Sequence, residues 1–390
     1  MARKAFGDLI YEKDINSQNE VKKKVLFVAT VTNHILAFHI PYLKMFKDEG
    51  FEVHVASNGA DEIMYADKHF NVCFERSPFN KNNIKAYKEL KSIIRENKYD
   101  VIQCNTPVGG TLTRLASKKT RKNGTRVIYM AHGFHFFKGA PIKNWLIYYP
   151  IEKYLSKYTD DLITINKEDY EIAKKKFKAK NIHRIHGIGV NNEKFNKLLS
   201  FDERLTLRND LKLYKDDFAI FFAGELNKNK NQIMLIEAMK DLVRENHHYK
   251  LLLAGEGKKR EFYEAKIKKY GLSENVFLLG YRNDVPNLLK AVDLYVSVSI
   301  REGLPLNLVE AKISGLPVIA TYNRGHKEII EDSKDGFLIN IGDIEALKDK
   351  IRILYNDEDL RNKFIENSKN NIEKFYLSSV EKELRKIYLK

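Results

Sequence analysis

The chain has 390 residues, 43% hydrophobic, 31% charged and 11% aromatic, which excludes a disordered or fibrous polypeptide and suits two domains of ordinary size. Its 68 lysines and arginines outnumber its 52 aspartates and glutamates, for a net charge of +16. The excess is one-sided: residues 1–200 hold 35 basic and 21 acidic side chains and the remainder 33 and 31, so the first half suggests an anionic partner such as phosphate, nucleic acid or acidic lipid.

Residues 1–20 mix charged and polar side chains without the apolar stretch of a secretion signal, and read as a flexible extension. The longest apolar runs, such as residues 25–31, fall far short of a membrane span of about 20 residues. Cys73 and Cys104 form neither a disulfide framework nor a zinc spacing, which points to a reducing compartment.

Residues 24–30 (KVLFVAT) are a short apolar run ending in polar residues, the pattern of a buried parallel strand feeding a loop. Similar runs follow at 51–56, 101–104, 127–131 and 162–165. Between them lie stretches of helical period, and in 81–97 the spacing puts Ile84, Tyr87, Leu90 and Ile94 on one face. Strand and helix in alternation predict a doubly wound parallel sheet. The pattern pauses over 187–216 and restarts at 218–223, with further strands at 250–254, 276–279, 294–298 and 318–321. That is a second sheet of the same kind. The expected division is therefore 1–20, the extension; 21–200, a basic acceptor-binding domain; 201–370, a donor-binding domain; and 371–390, a terminal helix packing back on the first domain. Ligands of such sheets bind at the carboxyl ends of the strands, here in the cleft between domains.

The most informative window is 299–321, SIREGLPLNLVEAKISGLPVIAT. A strand ends near Ser299, a turn holds Gly303 and Pro305, and a helix starts near Leu306 with Glu310 in its first turns. A helix start offers free backbone N–H groups that suit a pyrophosphate, and Glu302 and Glu310 can accept hydrogen bonds from sugar hydroxyls on either side. The plain alternative for two such acids is a cap and a solvated ion pair.

In this window the chain resembles the retaining glycosyltransferases of family 4, whose hallmark is E-x7-E inside EGxPxxxxEAxxxGxPVIAT. Glu302, Gly303, Pro305, Glu310, Ala311, Gly315 and the run from Pro317 to Thr321 stand in register. Segments 34–46, 106–116, 131–150 and 224–231 carry the likeness further, toward bacterial enzymes of exopolysaccharide and capsule assembly. The resemblance implies a GT-B fold: two doubly wound, Rossmann-like α/β domains facing a cleft. It also implies retaining transfer of a hexose or N-acetylhexosamine from a UDP-sugar to a lipid-linked (polyprenyl diphosphate) saccharide, at the inner face of the plasma membrane.

By the same likeness Glu302 meets the donor sugar, Glu310 the ribose, and the amides of Gly303, Leu304 and Leu306 around Pro305 the distal phosphate. Gly224 ends a strand, and Lys230 neutralises the leaving diphosphate. Tyr281 and Arg282 complete the donor-side candidates. Most relatives have arginine directly after the glycine, where this chain has Glu225; Arg301 or Arg324 are the candidate substitutes. His132 lines the sugar site, followed by Gly133. His34, Thr106, Gly109 and Gly110 are acceptor-side candidates, although the turn holding the last three can equally just start a helix. No cofactor and no metal are expected, because the acidic run Asp357, Glu358 and Asp359 opens a helix, where acids favour the dipole.

Residues 101–150 hold eight basic and no acidic side chains among Phe134, Phe136, Phe137, Trp145, Tyr148 and Tyr149. Such a segment can lie on an anionic membrane, or its aromatics can pack into the domain's own core. An epimerase or phosphorylase on the same fold is the rival enzyme. A basic binding protein is the rival from another class, and no nucleic-acid module is recognisable.

Overall fold

The computed structural model describes residues 22–197 and 199–390; the extension over residues 1–20 lies outside them. The first sheet contains β1 (Lys24–Val31), β2 (Glu52–Asn58), β3 (Lys68–Asn71), β4 (Val101–Asn105), β5 (Arg126–Ala131), β6 (Asp161–Thr164) and β7 (Asn181–Arg184) in the order β3-β2-β1-β4-β5-β6-β7. The second contains β8 (Phe218–Ala223), β9 (Tyr249–Ala254), β10 (Val276–Gly280), β11 (Leu294–Ser297), β12 (Val318–Thr321) and β13 (Phe337–Ile339) in the order β10-β9-β8-β11-β12-β13. Every pairing is parallel, as the two-sheet reading expects. Central strands are apolar along their length because helices cover both faces: β1 buries every residue from Val25 to Thr30. The three strands that the apolar runs do not disclose, β3, β7 and β13, all lie at sheet edges. β3 and β7 have only four residues each with exposed ends, so no continuous apolar run marks them.

In both sheets the strand order reverses beside the first strand, between β1 and β4 and between β8 and β11. Loops leaving paired strands there splay to opposite faces and open a crevice. The carboxyl ends of β1, β4, β8 and β11 thus define where a ligand can sit.

Some local expectations shift. The Asn82–Asn97 helix buries Asn83, Ala86, Leu90 and Ile94, while Ile84 is 63% exposed. Its inner face is turned because the Asn83 amide binds the loop before it, accepting from the Glu75 amide and donating to the Ser77 carbonyl. The aromatic segment turns mostly inward: Phe134 and Phe136 are buried, and Trp145 and Tyr149 pack on Phe136 with ring centres 5.5 and 5.4 Å away. The Ile142–Ser156 helix shows an aliphatic patch to solvent, with Ile142 and Leu146 mostly exposed beside Ile147 and Ile151, next to exposed Lys143, Lys153 and Tyr154. Asp357 caps the Glu358–Ile372 helix by accepting from the Leu360 amide, the helix-opening role expected for that acidic run.

The closing Leu377–Tyr388 helix lies on the first domain. Tyr388 packs against Phe27 and Phe46, and Arg126 donates to the last carbonyls of that helix, Ile387 and Tyr388. No helix among the described residues is long and apolar enough to cross a membrane.

Candidate active site between the two domains

β11 ends at Ser297 and a tight loop leads to the Leu306–Ile313 helix, with Pro305 at its N-cap. Proline suits that position, since its missing N–H would have had no partner in the helix. The amides of Gly303, Leu304, Leu306 and Asn307 donate to no protein acceptor among the described residues. They form a set of unfilled donors at the positive end of a helix.

Lys230 reaches this loop from the other side of the crevice. Its backbone amide is fixed by the Asn227 side chain at 2.9 Å, and its aliphatic stem lies 3.4 Å from where a side chain on Gly224 would begin. The stem thus passes Gly224 at ordinary contact distance. The ammonium ends 2.6 Å from the Glu302 carboxylate, and both side chains are largely buried. Asn229 ties the two loops together, donating to the Arg301 carbonyl at 3.0 Å and accepting from the Ile300 amide at 2.8 Å.

The opposite wall comes from the first domain. β5 delivers His132 and Gly133, and a Cβ on Gly303 would lie 2.3 Å from the His132 carbonyl oxygen. Gly133 adopts φ +124°, a conformation other residues rarely take, with Arg324 and Gly303 close by. Paired glycines let the domains touch backbone to backbone at the site. Arg324 clamps this contact: it is buried, donates at 2.5 Å to Asp169 and at 2.8 Å to the Phe134 carbonyl, and so joins the second domain to the first. As a substitute phosphate ligand Arg324 is thus already engaged. Arg301 has no carboxylate within ion-pair distance among the described residues and lines the cavity between the domains, about 1840 Å³ in volume. Glu225 is exposed, its carbonyl accepting from Gln232.

Glu310 lies on the inner side of the helix, where burial raises its pKa to about 7 against a weaker pull downward from Lys194. A carboxylate desolvated in this way is a candidate for function. The raised value gives stability that is present below about pH 4.5 and is lost as pH rises to about 7. Each pKa unit is worth about 1.4 kcal/mol, and some solvent contact remains. Glu310→Gln is therefore expected to stabilise the unliganded protein by on the order of 2 kcal/mol at pH 8 and by little at pH 4.5, read from urea unfolding at the two pH values.

The remaining predicted residues divide. His34 joins His132, with ring centres 4.6 Å apart. Thr106, at φ +62°, shares a hydrogen bond of 2.7 Å with Thr30 where β4 and β1 part. Gly109 and Gly110 are buried in helix-on-sheet packing, where added Cβ atoms would strike Thr106 and the Tyr129 ring; there they permit close packing. Tyr281 is exposed, and Arg282 is held by Asp284 at 2.5 Å, so neither joins the Lys230–Glu302 cluster in this state. Sequence reasoning missed the domain clamp from Asp169 and the cross-link from Asn229. It also missed His39, fully buried beside His34 and His132.

Two family models match, "Glycosyl transferases group 1" over residues 203–371 and "Glycosyl transferase 4-like" over 24–166. EpsD of Bacillus subtilis, named for a glycosyltransferase, is 45% identical over 373 residues, covering 94% of this chain and 96% of its own length. The chain belongs to the group 1 glycosyltransferases. An Escherichia coli α-1,3-galactosyltransferase is 29% identical over 74% of this chain and 76% of its own length. Among solved structures, Anabaena HepE in complex with UDP and glucose superposes with a TM-score of 0.78 at 19% identity, over 94% of this chain and 99% of that one. As a group 1 glycosyltransferase, the chain carries its Glu302 to Thr321 signature entirely within the first of the two matched regions.

Proposed function

We propose that this glycosyltransferase moves a hexose or N-acetylhexosamine from a UDP-sugar to a saccharide carried on polyprenyl diphosphate, with retention at the anomeric carbon, in polysaccharide assembly. The observation that carries this reading is the set of amides at Gly303, Leu304, Leu306 and Asn307 with no acceptor among the described residues, on the same loop as Glu302, whose carboxylate meets the Lys230 ammonium. Free amides at a helix start beside a cation suit a diphosphate, and such donors strengthen as leaving-group charge develops. Names of relatives agree in kind. The Escherichia coli protein uses UDP-Gal and a diphosphoundecaprenol-linked sugar, and the Staphylococcus aureus relative CapM serves capsular polysaccharide synthesis.

In this reading the bond from the anomeric carbon to the diphosphate breaks while the acceptor oxygen bonds to the same face. The acceptor's proton passes to the departing phosphate oxygen. Glu302 orients the donor sugar, Glu310 the ribose, and His132 with its carbonyl borders the sugar. The side chains of Lys138, Lys167, Lys327 and Arg301 line the cavity between the domains and form no ion pair among the described residues, although the backbone amides of Lys138 and Lys167 donate to Glu168 and Glu328; such free cations suit a second diphosphate on the acceptor. The test is calorimetry with UDP together with transfer of labelled sugar to a polyprenyl diphosphate saccharide, the product anomer being read by NMR. A chain that binds polynucleotide but no UDP sinks the proposal.

The aliphatic face of the Ile142–Ser156 helix, flanked by Lys143 and Lys153, supports docking on an anionic membrane at its cytoplasmic side. Ile142→Asp with Leu146→Asp is expected to weaken binding to phosphatidylglycerol vesicles about tenfold or more in a flotation assay, with UDP affinity unchanged.

A further inference from the structure

The geometry points to a binding site for a divalent cation of the zinc class, held by His34, His39 and His132 with a fourth position open toward the cleft. Each histidine offers a ring nitrogen, and these atoms lie within 4.8 Å of one another. Ring centres are 4.6, 5.2 and 5.8 Å apart, close to the separation of about 5 Å set by three imidazoles binding one tetrahedral ion at about 2.0–2.1 Å.

Unsatisfied polar atoms give the second argument. Both ring nitrogens of fully buried His39 and Nε2 of His34 have no hydrogen-bond partner among the described residues. Neutral imidazole carries one donor and one acceptor, so leaving both bare in the interior is costly. One central cation would take a lone pair from each ring, satisfying His34 Nε2 and one of the two His39 nitrogens. His132 supplies the third argument, since its Nε2 lies 3.3 Å from Asn105 Oδ1, which also accepts from the Gln103 amide. An acceptor there places the His132 proton on Nε2 and leaves Nδ1 as the ligand, with the outer bond orienting the ring as in known metal sites. Burial disfavours the charged form of all three rings, and the neighbouring rings add to this at His39 and His132, which keeps them in the neutral, ligating form.

The local fold explains the convergence. The Thr32–Phe38 helix ends at His39 and the Ile40–Asp48 helix begins beyond it, so the break turns His39 back beneath His34. His34 and His132 remain half-buried, and His132 stands where the domains meet, its carbonyl oxygen 2.3 Å from where a Cβ on Gly303 would lie; a water or a substrate hydroxyl would complete the coordination. This inference departs from the metal-free expectation, which rested on Asp357, Glu358 and Asp359, and it does not depend on the donor or the acceptor proposed above.

The experiment uses the full chain without a histidine tag, stripped with chelator and dialysed against Zn²⁺ and, separately, Co²⁺. Expected are one equivalent of metal by atomic emission and the strong visible absorption of four-coordinate Co²⁺. His34→Gln and His39→Gln are each expected to weaken binding by at least about tenfold, whereas His135→Gln, in the same loop but stacked on Tyr148, leaves it unchanged. Should buried His39→Gln fail to fold, half-buried His34→Gln decides alone. Less than one equivalent, a six-coordinate Co²⁺ spectrum, or binding that survives the folded variants overturns the site.

Discussion

Lys230→Ala is expected to lower kcat for sugar transfer by about 10²–10³, with a smaller rise in KM for the UDP-sugar. Two effects combine. Under the proposed function the variant removes the cation beside the departing diphosphate, and it leaves the Glu302 carboxylate without the ammonium that sits 2.6 Å away. An uncompensated carboxylate in a largely buried cleft then repels the phosphates it should tolerate. Lys230→Arg keeps the charge but replaces the compact ammonium with a broader planar guanidinium, so partial recovery is expected. Steady-state rates of UDP release with acceptor present measure both; a Lys230→Ala enzyme within fivefold of wild type would contradict the role given to this lysine.

Arg324→Leu is expected to destabilise the protein by about 3–5 kcal/mol, the usual loss when one partner of a buried pair is removed. Asp169 would keep its Phe134 amide and Asn166 contacts but lose its cation. Desolvation already raises the Asp169 pKa despite that cation, so the orphaned carboxyl would take up a proton at higher pH. Arg324 also holds the Phe134 carbonyl, so the contact between domains should loosen too. Urea unfolding measures the first effect and small-angle scattering the second. A variant as stable and as closed as wild type would show that the contact at Gly133 and Gly303 holds the domains without the clamp.

Sequence patterns disclosed the central strands and the signature loop because both have local causes. β8 and β12 are apolar runs with definite ends, and the loop from Glu302 to Glu310 combines a strand end, a proline and a helix start within a few residues. Three of the edge strands, β3, β7 and β13, escaped because they have only four, four and three residues, too few for a periodic signal, whereas the edge strand β10 has five and shows as the run at 276–279. The clamp between Arg324 and Asp169 escaped because it joins residues 155 positions apart, and nothing local to either marks it. Asn83 misled the helix phase for a related reason: a polar residue turned inward when a neighbouring loop offered it partners.

The polypeptide passes between the domains twice. Val190 and Leu377 lie side by side, hydrogen-bonded at 2.8 Å, where the outgoing and returning segments meet. The first domain to leave the ribosome is thus the last to be completed, since Phe27 and Phe46 wait for Tyr388, 342 positions after Phe46. Until the Leu377–Tyr388 helix has been made, that apolar surface stays uncovered and open to chaperones. Loss of this one helix would injure a domain whose own strands begin about 350 positions earlier.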